Sequence, residues 1–213
     1  MKVLMIFLLL LPFGFASAQK IGELAPEKPP EIFPPNSWGV DLMFGEGGFG
    51  LGTFLRKSYS QDLTGFVDFS ISELKDAREI QYIDYFGNTY TPDKVNRAFL
   101  FPLNAGAQFR LFSETLTDNL RPYISIGVGP TLILTTPYDQ EFFSSFKHAR
   151  AHYAAAGYVG LGANFGISKT NLIGINVRYL YAHVFGEGIE NLTNQFRNDI
   201  GQLYITLNLG IMY

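Results

Sequence analysis

From Ser37 onward the chain alternates apolar and polar positions with a period of two, the signature of β-strands that bury one face. The last segment is the clearest. Leu203, Ile205, Leu207, Leu209, Ile211 and Tyr213 alternate with Gln202, Tyr204, Thr206, Asn208, Gly210 and Met212. Upstream, Ile173, Ile175, Val177, Tyr179 and Tyr181 oppose Gly174, Asn176, Arg178, Leu180 and Ala182. Similar stripes recur through Ile124–Leu134, Leu103–Leu111, Val67–Ile71 and Trp38–Phe44. The pattern predicts eight strands, over 37–46, 47–57, 63–73, 97–112, 120–136, 152–168, 172–186 and 200–213.

The links between these strands alternate in length. Ser58–Asp62, Ser113–Asn119 and Lys169–Asn171 are short, whereas 74–96, 137–151 and 187–199 are long. Short turns at one end and long loops at the other are expected of an up-and-down membrane barrel with an even strand number. The first link, near Glu46 and Gly47, is short where the alternation calls for a long one.

Ahead of the strands lie two segments of different character. Lys2, the apolar run Val3–Phe15 and Ala16-Ser17-Ala18 fit a secretory signal with a small-x-small cleavage site. The run falls short of the ~20 apolar residues of a spanning helix. Cleavage is expected after Ala18, making 1–18 a signal peptide. Residues 19–36 carry Pro26, Pro29, Pro30, Pro34 and Pro35 and are expected to form an extended periplasmic tail. Residues 37–213 would then be the barrel domain.

Composition narrows the class. Aromatic residues make up 15% and charged residues 16% of the chain, against about 25% charged in average domains. A net charge of −3 with no basic excess argues against nucleic-acid binding. Cysteine is absent, which removes disulfide and thiolate chemistry. The mixed strand faces hold glycines and few lysines, unlike a soluble surface. Charges within the strands fall on that face: Asp41, Arg56, Asp68, Arg110 and Arg178. This points to an all-β, closed, antiparallel up-and-down barrel with lipid outside and a polar lumen, closed because hydrocarbon tolerates no unpaired edge. The alternative is a soluble exported barrel that holds an apolar ligand, as lipocalins do.

An alternating strand that ends on an aromatic residue, Tyr213, resembles the eight-stranded outer-membrane β-barrel families of Gram-negative bacteria. These include the membrane domain of outer-membrane protein A and the PorT-like barrels. The resemblance spans roughly 37–213. It implies that Ile211 and Tyr213 belong to a C-terminal signal read by the barrel assembly machinery. It implies location in the bacterial outer membrane and contact with its lipid. Envelope or secretion-complex proteins are further candidate partners. The match departs from the family pattern at Asn208, where a glycine is common; Gly210 is displaced. No family motif here sets a biochemical activity.

Site-like motifs are sparse. Gly45-Glu46-Gly47-Gly48-Phe49-Gly50 looks like a nucleotide loop but lacks the following helix of a phosphate-binding unit, so a hairpin turn is expected. His148 and His152 stand four apart with no third ligand. His183 is reminiscent of a lipid-A deacylase histidine, but Phe185 continues its face and supplies no serine nucleophile. No enzyme activity, cofactor or metal is expected.

Two groups of residues remain as candidates. In the lumen, Arg56 is expected between Asp41 and Asp68, with Arg110 and Arg178 adding positive charge and Gln108, Asn176 and Gln202 completing hydrogen bonds. Phe54, Phe66, Tyr123 and Tyr158 should fill space beside inward glycines. An eight-stranded interior is about filled by side chains, so a plug is expected, with a narrow pore as the alternative. In the loops, Tyr82, Tyr85 and Phe86, and Phe142, Phe143 and Phe146, form either a contact surface or aromatic packing at the membrane interface. The expected role is a non-enzymatic barrel for envelope structure or surface binding.

Overall fold

The computed structural model describes residues 32–213, apart from 77, 88, 117, 118, 167 and 168. The expected signal peptide and the tail up to residue 31 lie outside the described residues. Twelve strands follow in order: β1 (Asn36–Gly45), β2 (Gly48–Ser58), β3 (Leu63–Leu74), β4 (Tyr82–Ile83), β5 (Thr89–Tyr90), β6 (Asn96–Arg110), β7 (Leu120–Pro137), β8 (Arg150–Phe165), β9 (Asn171–Val184), β10 (Ile189–Leu192), β11 (Gln195–Arg197) and β12 (Asp199–Met212). A short helix α1 (Phe142–Ser145) and a 3-10 turn (Phe146–His148) sit between β7 and β8.

Eight of these strands close into one barrel in the order β1-β12-β9-β8-β7-β6-β3-β2, and β2 returns to β1. Every neighbour pair is antiparallel. Closure pairs both edges, which an open sheet in hydrocarbon could not do. At the seam, Asn36 and Tyr213 exchange two backbone hydrogen bonds of 3.1 and 2.9 Å.

Strand ends differ from the periodicity in places where the backbone leaves the β region. β9 stops at Val184 because Gly186 takes φ +90°. β6 stops at Arg110, and Phe112 turns the chain with φ +57°. The Gly45–Gly50 stretch is the expected hairpin turn, with Gly48 at φ +122°. The long links are not structureless: β4 pairs with β5, and β10 with β11, in small hairpins at the end away from the termini.

The period of two sorts side chains as expected. Along β9, Leu172, Gly174, Asn176, Arg178, Leu180 and Ala182 are buried, while Ile175, Val177, Tyr179 and Tyr181 are exposed outward. Inside, aromatic rings occupy the space that glycines leave. The Phe54 ring lies where a Cβ on Gly39 or Gly210 would be, and the Phe66 ring where one on Gly106 or Gly127 would be. Tyr158 lies likewise against Gly127. This pairing of large and small residues lets a narrow barrel pack densely.

Candidate functional site

The outer wall comes first, because it sets the environment of everything inside. Val40, Leu51, Val128, Val159, Ile175 and Ile205 are exposed around its middle. Exposed aromatic residues ring both ends. Phe44, Phe49, Tyr153 and Tyr181 lie near the long loops, and Trp38, Phe109, Phe165 and Tyr213 near the termini. Monomeric soluble proteins rarely expose apolar patches beyond a few hundred Å². An apolar band with aromatic girdles is the surface of a transmembrane barrel. The chain has the fold and outer surface of an eight-stranded transmembrane β-barrel.

At mid-height in the lumen, Asp41, Asp68 and Arg178 are 3, 5 and 4% exposed. Tyr158 donates to Asp68 Oδ2 at 2.6 Å and Asn104 donates to Oδ1 at 3.0 Å. Arg178 Nη1 stands 3.8 Å from Asp68 Oδ2. Its Nη2 reaches Met43 Sδ at 2.8 Å, and its guanidinium lies over the Tyr158 ring at 5.2 Å. Asn208 donates to Asp41 Oδ1 and accepts from Asn176 at 3.0 Å. The space left among Asp41, Asp68, Gln108, Asn176 and Arg178 is about 10 Å³, close to the room needed by one water.

Arg178, not Arg56, is the ion-pair partner of Asp68, and Arg56 lines the same small void as Asp41, Asp68 and Arg178. Arg56 bonds Asn164 Oδ1 at 3.4 Å and lies 3.9 Å over the Phe54 ring. Arg110 stands away from the aspartates, at the terminus-end mouth, and donates to the Leu116 carbonyl at 2.7 Å. β2 and β6 carry these arginines toward their terminus-side ends, whereas β9 carries Arg178 at mid-height. A third arginine at that mouth, Arg121, escaped the sequence reading, though it shares the inward parity of Tyr123. Asn104, Asn208 and Tyr204 escaped it as lumen hydrogen-bonding residues, since polarity alone does not give height in the barrel.

The long-loop end is capped by a second charge network. Asp76 accepts from Arg78 at 3.0 and 2.8 Å and stands 3.4 Å from Arg197 Nε. Lys94 donates to Glu79 at 2.7 Å, with side chains 9 and 0% exposed. The Val95 amide bonds the Asn191 carbonyl at 2.8 Å, tying the loop after β3 to the β10–β11 hairpin.

The Arg78 guanidinium hydrogen-bonded to Asp76 holds its carboxyl below the usual carboxylate range. A lowered folded value means that folding favours the ionised form. The lock is therefore at full strength above about pH 3.9, the ordinary Asp value, and is lost as pH falls through the lower folded value. Amide exchange, corrected for its intrinsic pH dependence, should show residues 75–95 protected at pH 7 and opened below about pH 4. Arg78→Ala should raise the pH at which opening begins. Equal protection at both pH values would show that the cap is not held by charge.

Above the cap, the sequence-predicted aromatics separate into two groups. Tyr82 stacks on Tyr90 at 5.8 Å, and Tyr85 meets Phe86 edge-on at 5.8 Å. Tyr85 and Phe86 are 98 and 85% exposed at the tip of the β4–β5 hairpin. Phe142, Phe143 and Phe146 cluster with Phe99 on the rim, at centroid distances of 5.2–6.1 Å.

The histidines have local partners. His152 lies 3.1 Å from Thr135 Oγ1. His183 Nδ1 lies 2.8 Å from Asp199, which also accepts from Tyr181 at 2.6 Å. This exposed acid–histidine pair is half of a hydrolytic constellation. The position beside it on the strand face holds Phe185, whose ring meets His183 edge-on. No group of three or more His, Asp or Glu that could hold a metal occurs among the described residues.

The sequence matches no protein-family model and no curated protein. Solved structures do resemble the fold. Neisserial surface protein A is 10% identical, covers 84% of this chain and 94% of its own, and gives a TM-score of 0.49. The N-terminal β-barrel domain of Pseudomonas aeruginosa OprF is 12% identical, covers 83 and 95%, and gives 0.46. The outer-membrane enzyme PagL is 15% identical, covers 83 and 99%, and gives 0.37.

Proposed function

We propose that this chain is an exported, non-enzymatic barrel of the bacterial outer membrane, closed to solutes, whose long-loop end is a contact surface for envelope or other surface partners. The signal peptide would be removed after Ala18, and Ile211 with Tyr213 would form the assembly signal. The observation that carries the closed lumen is the network at Asp41, Asp68 and Arg178, which leaves about 10 Å³. The exposed Tyr85 and Phe86 on a cap locked by ion pairs support the contact role. Contact surfaces favour aromatics presented by a rigid scaffold.

With both termini in the periplasm, the long loops face outward. The chain has no cysteine, so single cysteines report cleanly. Tyr85→Cys and Asn194→Cys should react with an impermeant maleimide on intact cells. Gln61→Cys and Lys169→Cys should react only after the outer membrane is opened. Reversed labelling would invert the topology. A photo-crosslinking side chain at position 86 should trap a surface partner, and none trapped would remove the contact role. In planar bilayers the protein should give no steady conductance; a defined unit conductance would sink the closed lumen.

A further inference from the structure

The terminus-end mouth differs from the rest of the lumen in one respect: among the described residues, no carboxylate lines it beside its arginines. A cavity of about 290 Å³ opens there, near the lower end of small-ligand pockets. Arg110 and Arg121 line it together with Gln108, Tyr123 and Asn164, and no Asp or Glu is among the lining residues. Arg56 stands just behind, bonded to Asn164. Arg110 and Arg56 are the charged neighbours that act on Arg121.

Among the described residues these guanidiniums are held by neutral groups. The Arg121 guanidinium lies over the Phe33 ring at 3.8 Å, and its Nη2 donates to the weak acceptor Met212 Sδ at 3.6 Å. Arg110 uses Nη2 on the Leu116 carbonyl. Arg110 Nε and Arg121 Nε are buried without a hydrogen-bond partner among the described residues, as are Arg178 Nε and Arg197 Nε, but the latter two arginines have a carboxylate beside them. Buried donors left unpaired are costly, and three like charges near each other add repulsion. Elsewhere this protein pairs its buried charges: Arg178 with Asp68, Lys94 with Glu79 and Arg197 with Asp76. An anion at this mouth would balance these arginines.

We propose that the mouth is a binding site for a phosphate group, held between Arg110 and Arg121 with Arg56 supplying further positive potential. Planar guanidinium forks match phosphate oxygens in pairs, and a doubly charged group balances two arginines. The Phe33 ring buttresses the Arg121 fork. The same phosphate chemistry occurs in soluble phosphoesters and in the head groups of anionic phospholipids. The site is independent of the loop-end role proposed above.

The test uses the mature full chain in zwitterionic detergent. Inorganic phosphate is titrated against chloride at matched ionic strength, with binding read from the unfolding temperature and from phosphorus-31 line widths. Saturable stabilisation by phosphate that chloride does not reproduce is expected. Arg110→Gln and Arg121→Gln should each weaken it by about tenfold or more, the loss of a charge-assisted hydrogen bond. Arg121→Lys should retain part of the affinity, and Arg78→Gln, at the opposite mouth, all of it. The source is then resolved in nanodiscs. If phosphatidylglycerol lowers the apparent phosphate affinity relative to phosphatidylcholine, the occupant is a lipid head group; if it does not, it is a soluble phosphoester. Identical responses to phosphate and chloride in the parent protein would overturn the proposal, whatever the variants do. So would undiminished binding by Arg110→Gln with Arg121→Gln.

Discussion

Arg178→Met is expected to destabilise the barrel by about 3–5 kcal/mol, the range for breaking a buried ion pair by removing one partner. Arg178 is the ion-pair partner of Asp68 and lines the same void as Asp41. Its loss leaves two carboxylates in a space with room for about one water. The triple variant Asp41→Asn, Asp68→Asn, Arg178→Met should be more stable than Arg178→Met alone, because the two carboxylates that Arg178→Met leaves unpaired are gone. Arg56→Met should cost less than Arg178→Met, since Arg56 contacts Asn164 and Phe54 rather than a carboxylate. Equilibrium unfolding in lipid vesicles measures all three. A triple variant less stable than Arg178→Met would show that the lumen charges do not act as a neutral set.

Ile205→Arg should cost about 2–4 kcal/mol when the barrel folds into a bilayer, whereas Ile211→Arg should cost about 0–1 kcal/mol. Both side chains face outward and both are about half exposed, at 51 and 50%. They differ in depth. Ile205 lies in the middle of β12, and Ile211 pairs with Trp38 in the aromatic ring near the termini. Lipid makes a charge costly in proportion to its distance from water, so the gradient measures the membrane itself. Urea-driven folding into vesicles reads both variants against the parent. Equal tolerance of arginine at the two positions would mean that the outer wall does not meet hydrocarbon, and the soluble ligand-binding barrel would return.

Much of the fold was legible because a strand in a two-faced environment must alternate. Leu203–Tyr213 declared its outward face directly, and the scarcity of lysine on the opposite face declared a lumen rather than a wet surface. The aromatic–glycine complement was legible in kind: Phe54 and Phe66 had to lie over inward glycines in so narrow a barrel. The particular partners were not, because Phe54 meets Gly39 and Gly210 on strands at the two ends of the chain.

What the sequence by itself determined is which residues point inward, how many strands form the barrel, and that they close. Parity along each strand is enough for that. The tertiary structure alone decided which inward residues meet. Ion pairs across a barrel depend on the stagger between strands, and parity carries no information about height. Arg178 therefore took the place at Asp68 that strand adjacency had given to Arg56. The loop lock joins Asp76 to Arg197 across most of the barrel's sequence. The arginines at the terminus-end mouth came together only when β2, β6 and β7 were brought to a common rim.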